Sequence, residues 1–392
     1  MTMRVIYDTN LEWCGTEDVD STPSNFSVTN LDIIGLIYSI IAHLVDAGVD
    51  IYLACYYFSN SNYDYFSWTV VFIAVPAVIN TCISLTMYAE DAHNLNQKRS
   101  TPCLLIKSKG SRCLGAFQIF MHILQLATVA RCCDSLKFAF ASRHAEKKND
   151  RKEQKLQYEN MLKEDSDISL LRLIECFLES APQLALQLTI ILRDSESWKV
   201  LQIVSIISSF LGIVWSIAGY HRAIRFAQYD KHNITWCGTG VQFMWHFCIT
   251  FSRVLSLSAA ATIFPLKTIV GCFVHCSFMT LWIFCFDRSP FCGKTLFHTF
   301  LFSGVLGLVY LFTYIMSNDG RTAKKYSFYY TTCFIETIIC VSIYAVYVEE
   351  NFHPKHIYFG IIVMSIIPYV LGICFMILYY SKYHPKKINV VA

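Results

Sequence analysis

Ten apolar stretches dominate this 392-residue chain, at about 33–58, 66–88, 113–133, 168–193, 199–219, 241–265, 268–286, 294–316, 327–348 and 357–381. A helix of roughly 20 apolar residues crosses a hydrocarbon core of ~30 Å. In lipid the backbone must satisfy its own polar groups, which only helices and closed barrels do. These runs are too long and too uniform for barrel strands, which alternate apolar and polar residues. Charged residues make up only 16% of the chain, against about 25% in a soluble domain. The expected fold class is therefore all-α, a polytopic integral membrane protein. Residues 1–30 are polar and acidic and carry no basic, apolar and cleavage regions of a signal peptide. The first apolar stretch is thus expected to insert and to stay in the mature protein.

Loop charge decides how many stretches cross, because lysine and arginine accumulate on the cytoplasmic side. If all ten cross from a cytoplasmic N-terminus, 15 loop cations fall inside and 14 outside, which is no bias. If the third and eighth stretches dip in and return, 25 of the 32 cations gather inside. Only Arg193, Lys199, Lys267 and Lys355 then lie outside, and Arg131, Arg172 and Arg253 lie within stretches. The charge rule favours eight transmembrane helices plus two re-entrant segments, both termini cytoplasmic. It also implies two pseudo-repeats of five segments, about 31–227 and 241–385, a plan found among membrane transport folds. Residues 1–30 form a cytoplasmic N-terminal segment and 386–392 a short cytoplasmic tail. Sequons at Asn25 and Asn233 fall on the cytoplasmic side and are expected to stay unglycosylated. The charged stretch 134–167 mixes both signs, which suits a solvated helix better than a membrane-surface one.

Most of the 17 cysteines lie inside apolar stretches, where cysteine is usually a small buried hydrophobe. No Cys/His spacing suits a metal, so no structural metal is expected. HExxH, GxSxG and phosphate-binding glycine loops are missing from the sequence, which argues against an enzyme and against a cofactor. No nucleic-acid partner is expected.

The functional signal lies in polar residues within the apolar stretches. In the first, Ser39, His43, Asp46 and Asp50 share one helical face. The third lines up Gln118, His122, Gln125, Thr128 and Arg131, and the fourth Arg172, Glu175, Glu179, Gln183 and Gln187, with Pro182 breaking one backbone bond midway. The sixth repeats the pattern with Gln242, His246, Thr250, Arg253 and Ser256, and Glu336 stands alone in the ninth. A charge at the centre of an isolated membrane helix costs at least about 2.5–3.5 kcal/mol. Asp46 with Asp50, and Glu175 with Glu179, are like charges at i,i+4 that normally repel. Two readings follow: a structural ion-pair network, or a polar groove that conducts something charged.

The segment LLRLIECFLESAPQLALQL (Leu170–Leu188) resembles the signature of the XK-related family, whose apoptotic members are phospholipid scramblases. VDAGVDIY (Val45–Tyr52), MHILQLATVARC (Met121–Cys132), YHRAIR (Tyr220–Arg225), SRVLSL (Ser252–Leu257), GRT (Gly320–Thr322) and LYYSKYHP (Leu378–Pro385) agree in order, so the resemblance spans about 31–385. It implies eight spans with two partial ones, and ATP-independent exposure of phosphatidylserine at the plasma membrane. It also maps the family's charged ladder, the lipid-headgroup path, onto Asp46, Asp50, Arg131, Glu175, Glu179 and Arg253. Some relatives carry an aspartate just before the YHR motif; here that position is Gly219, so the lower rung is missing. The resemblance leaves open a non-scrambling membrane partner, a chaperone or a solute transporter. It names membrane phospholipids as ligands, with a single-span accessory membrane protein or a homodimer as partner.

Some vertebrate scramblases of the family are switched on by cleavage of a long C-terminal tail, whereas this sequence stops seven residues after Pro385. Residues 17–21, Glu-Asp-Val-Asp-Ser, look instead like an executioner-caspase site cut after Asp20. The segment is polar and exposed by composition, as protease sites are.

Overall fold

The computed structural model describes residues 26–98, 120–121, 126–193, 200–226, 234–287, 295–315, 323–348 and 355–384. Among these every regular element is helical: α1 (Asn30–Ser59), α2 (Tyr63–Lys98), α3 (Ala127–Lys147), α4 (Arg151–Glu175), α5 (Ala181–Arg193), α6 (Val200–Phe226), α7 (Trp236–Ile263), α8 (Pro265–Phe286), α9 (Leu296–Val309), α10 (Ala323–Tyr347) and α11 (Lys355–Leu378). Six of them (α1, most of α2, α7, α8, α10 and α11) are long and apolar enough to cross a membrane. The all-α, multi-pass architecture follows from that.

Local chemistry fixes the ends. Thr29 and Asp32 cap α1 reciprocally, the Thr29 amide donating to Asp32 Oδ2 at 2.7 Å and the Asp32 amide to Thr29 Oγ1 at 3.3 Å. Thr235 opens α7 and Thr295 opens α9 in the same side-chain manner. α4 and α5 form one rod joined by a π-helical turn, Cys176–Ser180. That turn lies just ahead of Pro182, whose missing N–H would leave the Leu178 carbonyl unpaired in a regular helix.

α7 is the hub, with eighteen of its 28 residues buried, while α1 buries only four of 30. Gly372 lets α11 close on α7, since a Cβ there would stand 2.7 Å from Ile249 Cγ1. Gly307 does the same for α9 on α8, where a Cβ would stand 2.9 Å from the Cys276 carbonyl. One hydrophobic core runs through both halves, from Ile83 and Phe177 to Trp245, Tyr310 and Tyr379.

Two regions differ in detail from the sequence reading. The charged stretch 134–167 is not one helix but the tip and two arms of a hairpin. α3 and α4 extend past their apolar parts and turn at Lys148–Asp150, with Asn149 left-handed at φ 56° and Asp150 capping α4. The eighth apolar stretch yields a helix of only 14 residues, α9, after which the chain turns at Tyr310–Phe312 and runs non-helically to Ile315. Of the third stretch, 113–119 and 122–125 fall outside the described residues.

Candidate functional site

α1 meets the α4–α5 rod along a seam of polar side chains. Near the start of the seam Arg172 Nη2 donates to the Ser39 carbonyl at 3.1 Å and to the Ser39 hydroxyl. One turn on, His43 Nδ1 stands 3.1 Å from Glu175 Oε1, while Thr128 of α3 donates to Glu175 Oε2 at 3.4 Å. Further along, the Asp50 and Glu179 carboxyls lie close enough to share a hydrogen bond, both largely buried, with Glu179 inside the π-turn. Asp46, between these levels, is exposed at the seam's edge. Four acids thus line one seam beside one guanidinium. The i,i+4 spacing that looked repulsive in sequence is what stacks them, because two helices each present one acid per turn to the same face.

The structure parts the other two ladder residues from that seam. Arg131 is wholly buried between α2, α3 and α4. Its Nη1 reaches Glu164 Oε2 at 2.8 Å and Asp167 Oδ2 at 3.0 Å, its Nη2 reaches the Ser84 carbonyl at 3.1 Å, and its guanidinium lies 3.9 Å from the Tyr88 ring centroid. Arg253, also wholly buried, sits in the other half. It donates to Glu336 Oε2 at 2.9 Å, to the Cys333 carbonyl at 3.1 Å and to the Leu311 carbonyl at 3.1 and 3.2 Å. Buried non-helical backbone needs partners for its polar groups, and these contacts supply them at Leu311. His275 Nε2 and the Tyr329 hydroxyl both bond the Tyr310 carbonyl, and His275 Nδ1 holds Glu336 Oε1 at 2.7 Å. His275, Cys333 and Glu336 bring three metal-type donors within 4.8 Å of one another. Glu336 spends both oxygens on His275 and Arg253, however, and the guanidinium opposes a cation, so the trio works as a clamp on the break.

Between the halves a cavity of about 910 Å³ opens among α2, α5, α7, α8 and α9. Its walls are apolar (Phe72, Val75, Leu186, Ile190, Ile269, Phe273), and Asn62, Asp64 and Arg193 lie where the start of α2 meets the end of α5. It shares the α4–α5 rod with the acid seam: Phe177 and Leu178 line the cavity while the adjacent Glu179 faces α1.

Sequence reasoning placed Arg172 on a stripe without choosing it as a site residue. Its spacing three before Glu175 carried the signal. The partners Glu164 and Asp167 had none, because they lie in the charged stretch that reads as solvated. Gly219 lies on α6 with open space where a Cβ would project. Asp20 lies outside the described residues.

Comparison with known proteins bears on the same elements. A sequence model of a family described as XK-related protein matches residues 34–385. XK-related protein 8 of Tetraodon nigroviridis is 24% identical over 373 residues, covering 93% of this chain and 86% of that one. XK-related protein 8 of Gasterosteus aculeatus is 24% identical over 360 residues, covering 90% and 84%.

Proposed function

This chain belongs to the XK-related family, and from that premise we propose that it is a phospholipid scramblase that exposes phosphatidylserine at the plasma membrane during apoptosis. The observation that carries this reading is the seam between α1 and α4–α5, where Asp46, Asp50, Glu175 and Glu179 accompany Arg172. A serine phospholipid presents an ammonium, a carboxylate and a phosphate. Alternating contacts with acids and a guanidinium lower the cost of carrying those groups through hydrocarbon, of order 10 kcal/mol for an unaided ion. The lipid's tails stay in the bilayer, beside the exposed apolar face of α1 and the apolar cavity at α5. No bond is made or broken, so the reading needs no catalytic residue and no cofactor.

The accompanying topology is eight spans with two re-entrant segments, both termini cytoplasmic. The short α9 with its paired break at Tyr310–Ile315 supports the second re-entrant segment. The α3–α4 hairpin, rich in lysine, supports a cytoplasmic placement of 134–167. A single-span accessory protein or a second copy would pack on the lipid-facing helices, and an executioner caspase would act at Asp20.

A second reading has its own observation. Arg131 and Arg253 are wholly buried and fully paired, as expected if the ladder only holds the bundle together in a non-scrambling partner, chaperone or transporter. Reconstitution in liposomes with a fluorescent-lipid quenching assay separates the two. Quenching beyond the outer-leaflet half supports scrambling, and quenching that stops there supports the structural ladder.

A further inference from the structure

Beyond the turn and aromatic pairs that join it to α2, α1 is packed closely only toward its N-terminal end. Over residues 41–59 just Asp50 and Ala54 are buried, so that reach touches the rest of the protein mainly through α2 and the seam's polar pairs. Its N-terminal end is different. Immediately before the helix, Phe26–Thr29 lies across the α3–α4 hairpin as an extended strap. Gln154 Nε2 donates to the Phe26 carbonyl at 3.2 Å, and Arg143 Nε donates to the Val28 carbonyl at 2.9 Å. The Phe26 ring meets Tyr158 edge-on at 6.0 Å, and Val28 is buried with Ile33 against Ala139 and Met161. Phe26 is held at φ 52°, a left-handed conformation that a phenylalanine rarely adopts unless its surroundings impose it.

We propose that this strap is a latch: docked on the hairpin, it holds α1 against the α4–α5 rod and keeps the acid seam closed, and its release lets α1 swing away. Three features point the same way. The strap joins α1 without a linker, because Thr29 is both its last residue and the cap of α1. The hairpin that receives it is continuous with α3 and α4, which carry Thr128, Arg172 and Glu175 of the seam. Opening costs little apolar contact, since most of α1 already faces outward, whereas the docked strap is partly buried and holds Phe26 at a left-handed φ. The inference rests on the lipid-path reading for its functional consequence, though not for the motion itself.

The test uses full-length protein in lipid nanodiscs, with spin labels attached through unnatural amino acids at Val49 of α1 and Phe273 of α8, both exposed. Phe26→Ala with Val28→Ser removes the strap's anchors, and Arg143→Ala removes one bond from the hairpin side while leaving the strap intact. Both should lengthen and broaden the Val49–Phe273 distance distribution. In liposomes they should raise fluorescent-lipid scrambling severalfold, and Phe26→Tyr, which keeps the edge contact, should match the parent. A distance distribution unchanged in both variants, each monodisperse, would overturn the latch. A lengthened distance with no lipid movement in any variant upholds the latch and rejects the lipid-path reading.

Discussion

Arg131 and Glu164 meet at 2.8 Å in a pocket where the arginine has no exposed surface at all. The cation that looks in sequence like a rung beside the four acids instead ties α3 to the α4 arm of the hairpin and to α2. Removing one member of a buried pair leaves the other uncompensated, a loss of about 3–5 kcal/mol. Arg131→Gln should therefore lower the yield of folded protein sharply, and its surviving fraction should scramble at the parent rate per molecule. Thermal unfolding in detergent and scrambling normalised to folded protein check both halves. A stable but inactive variant would return Arg131 to the lipid path.

Asp46 makes the opposite case. It is exposed at the edge of the seam, so Asp46→Asn removes an intramembrane charge without orphaning a partner and should leave the folded protein at least as stable as the parent. Glu179→Gln, in the π-turn, keeps size and hydrogen-bonding capacity. If the seam conducts headgroups, both should slow lipid exposure several-fold at normal surface levels. Surface biotinylation beside annexin binding measures the pair together. Loss of both proteins to degradation would make the acids structural, and normal levels with normal exposure would reject either role.

Much of this was legible in the chain itself. Long apolar runs dictate membrane helices through backbone hydrogen bonding alone, so the helical architecture follows from them, and the i,i+4 spacing puts Asp46 with Asp50, and Glu175 with Glu179, on a shared face. Partner choice does not follow from spacing. Arg131 and Glu164 lie 33 residues apart and are joined only once the hairpin folds back, while Arg253 finds Leu311 because α9 stops short. The hairpin turn is marked by Asn149 and Asp150, but within a run of charged residues that signal reads as part of a solvated helix, and the break at Tyr310 has no proline or glycine to announce it.

Gly219 offers a test by addition. A Cβ there would meet open space on α6, so the first carbon of the Gly219→Asp side chain enters without a clash. The substitution would add the acid that the resemblance places just before the YHR motif in some relatives. Scrambling in liposomes should rise severalfold if that rung limits the rate. Expression should fall slightly from the added intramembrane charge. An unchanged rate would show that the missing rung does not limit the rate.

Topology can be read independently of activity. Lys148 stands at the tip of the α3–α4 hairpin, and Arg321 precedes α10. Cysteines placed at both should react with impermeant maleimide only after the plasma membrane is opened, because the eight-span arrangement puts both inside. Ten crossings would put residue 148 outside, so labelling of intact cells at that position would overturn the eight-span arrangement.

Regulation through the N-terminus makes the last prediction. Cleavage after Asp20 would leave Phe26–Thr29 in place, so the cut cannot act by deleting the strap. It must act through what residues 1–20 do beforehand. One role is a plug whose acids sit near basic residues around the start of the groove, and Arg222 is the natural candidate by charge. In the structure Arg222 already donates to the Ile234 carbonyl at 2.7 Å and to Thr239 Oγ1 at 2.9 Å, and stacks 3.9 Å from the Trp236 ring centroid. A plug would therefore draw on Arg225 or on the basic residues between Lys98 and Arg112 instead. Contacts of that kind bias a closed–open equilibrium by about 1–3 kcal/mol, a 5- to 150-fold change in the open population. Asp20→Ala should block lipid exposure in dying cells, and a chain starting at Ser21 should scramble without a death signal. Neutralising Lys107, Lys109 and Arg112 together should mimic the Ser21 start. A Ser21 start that stays silent while the strap variants are active would put the control point at the strap and leave residues 1–20 without a regulatory role.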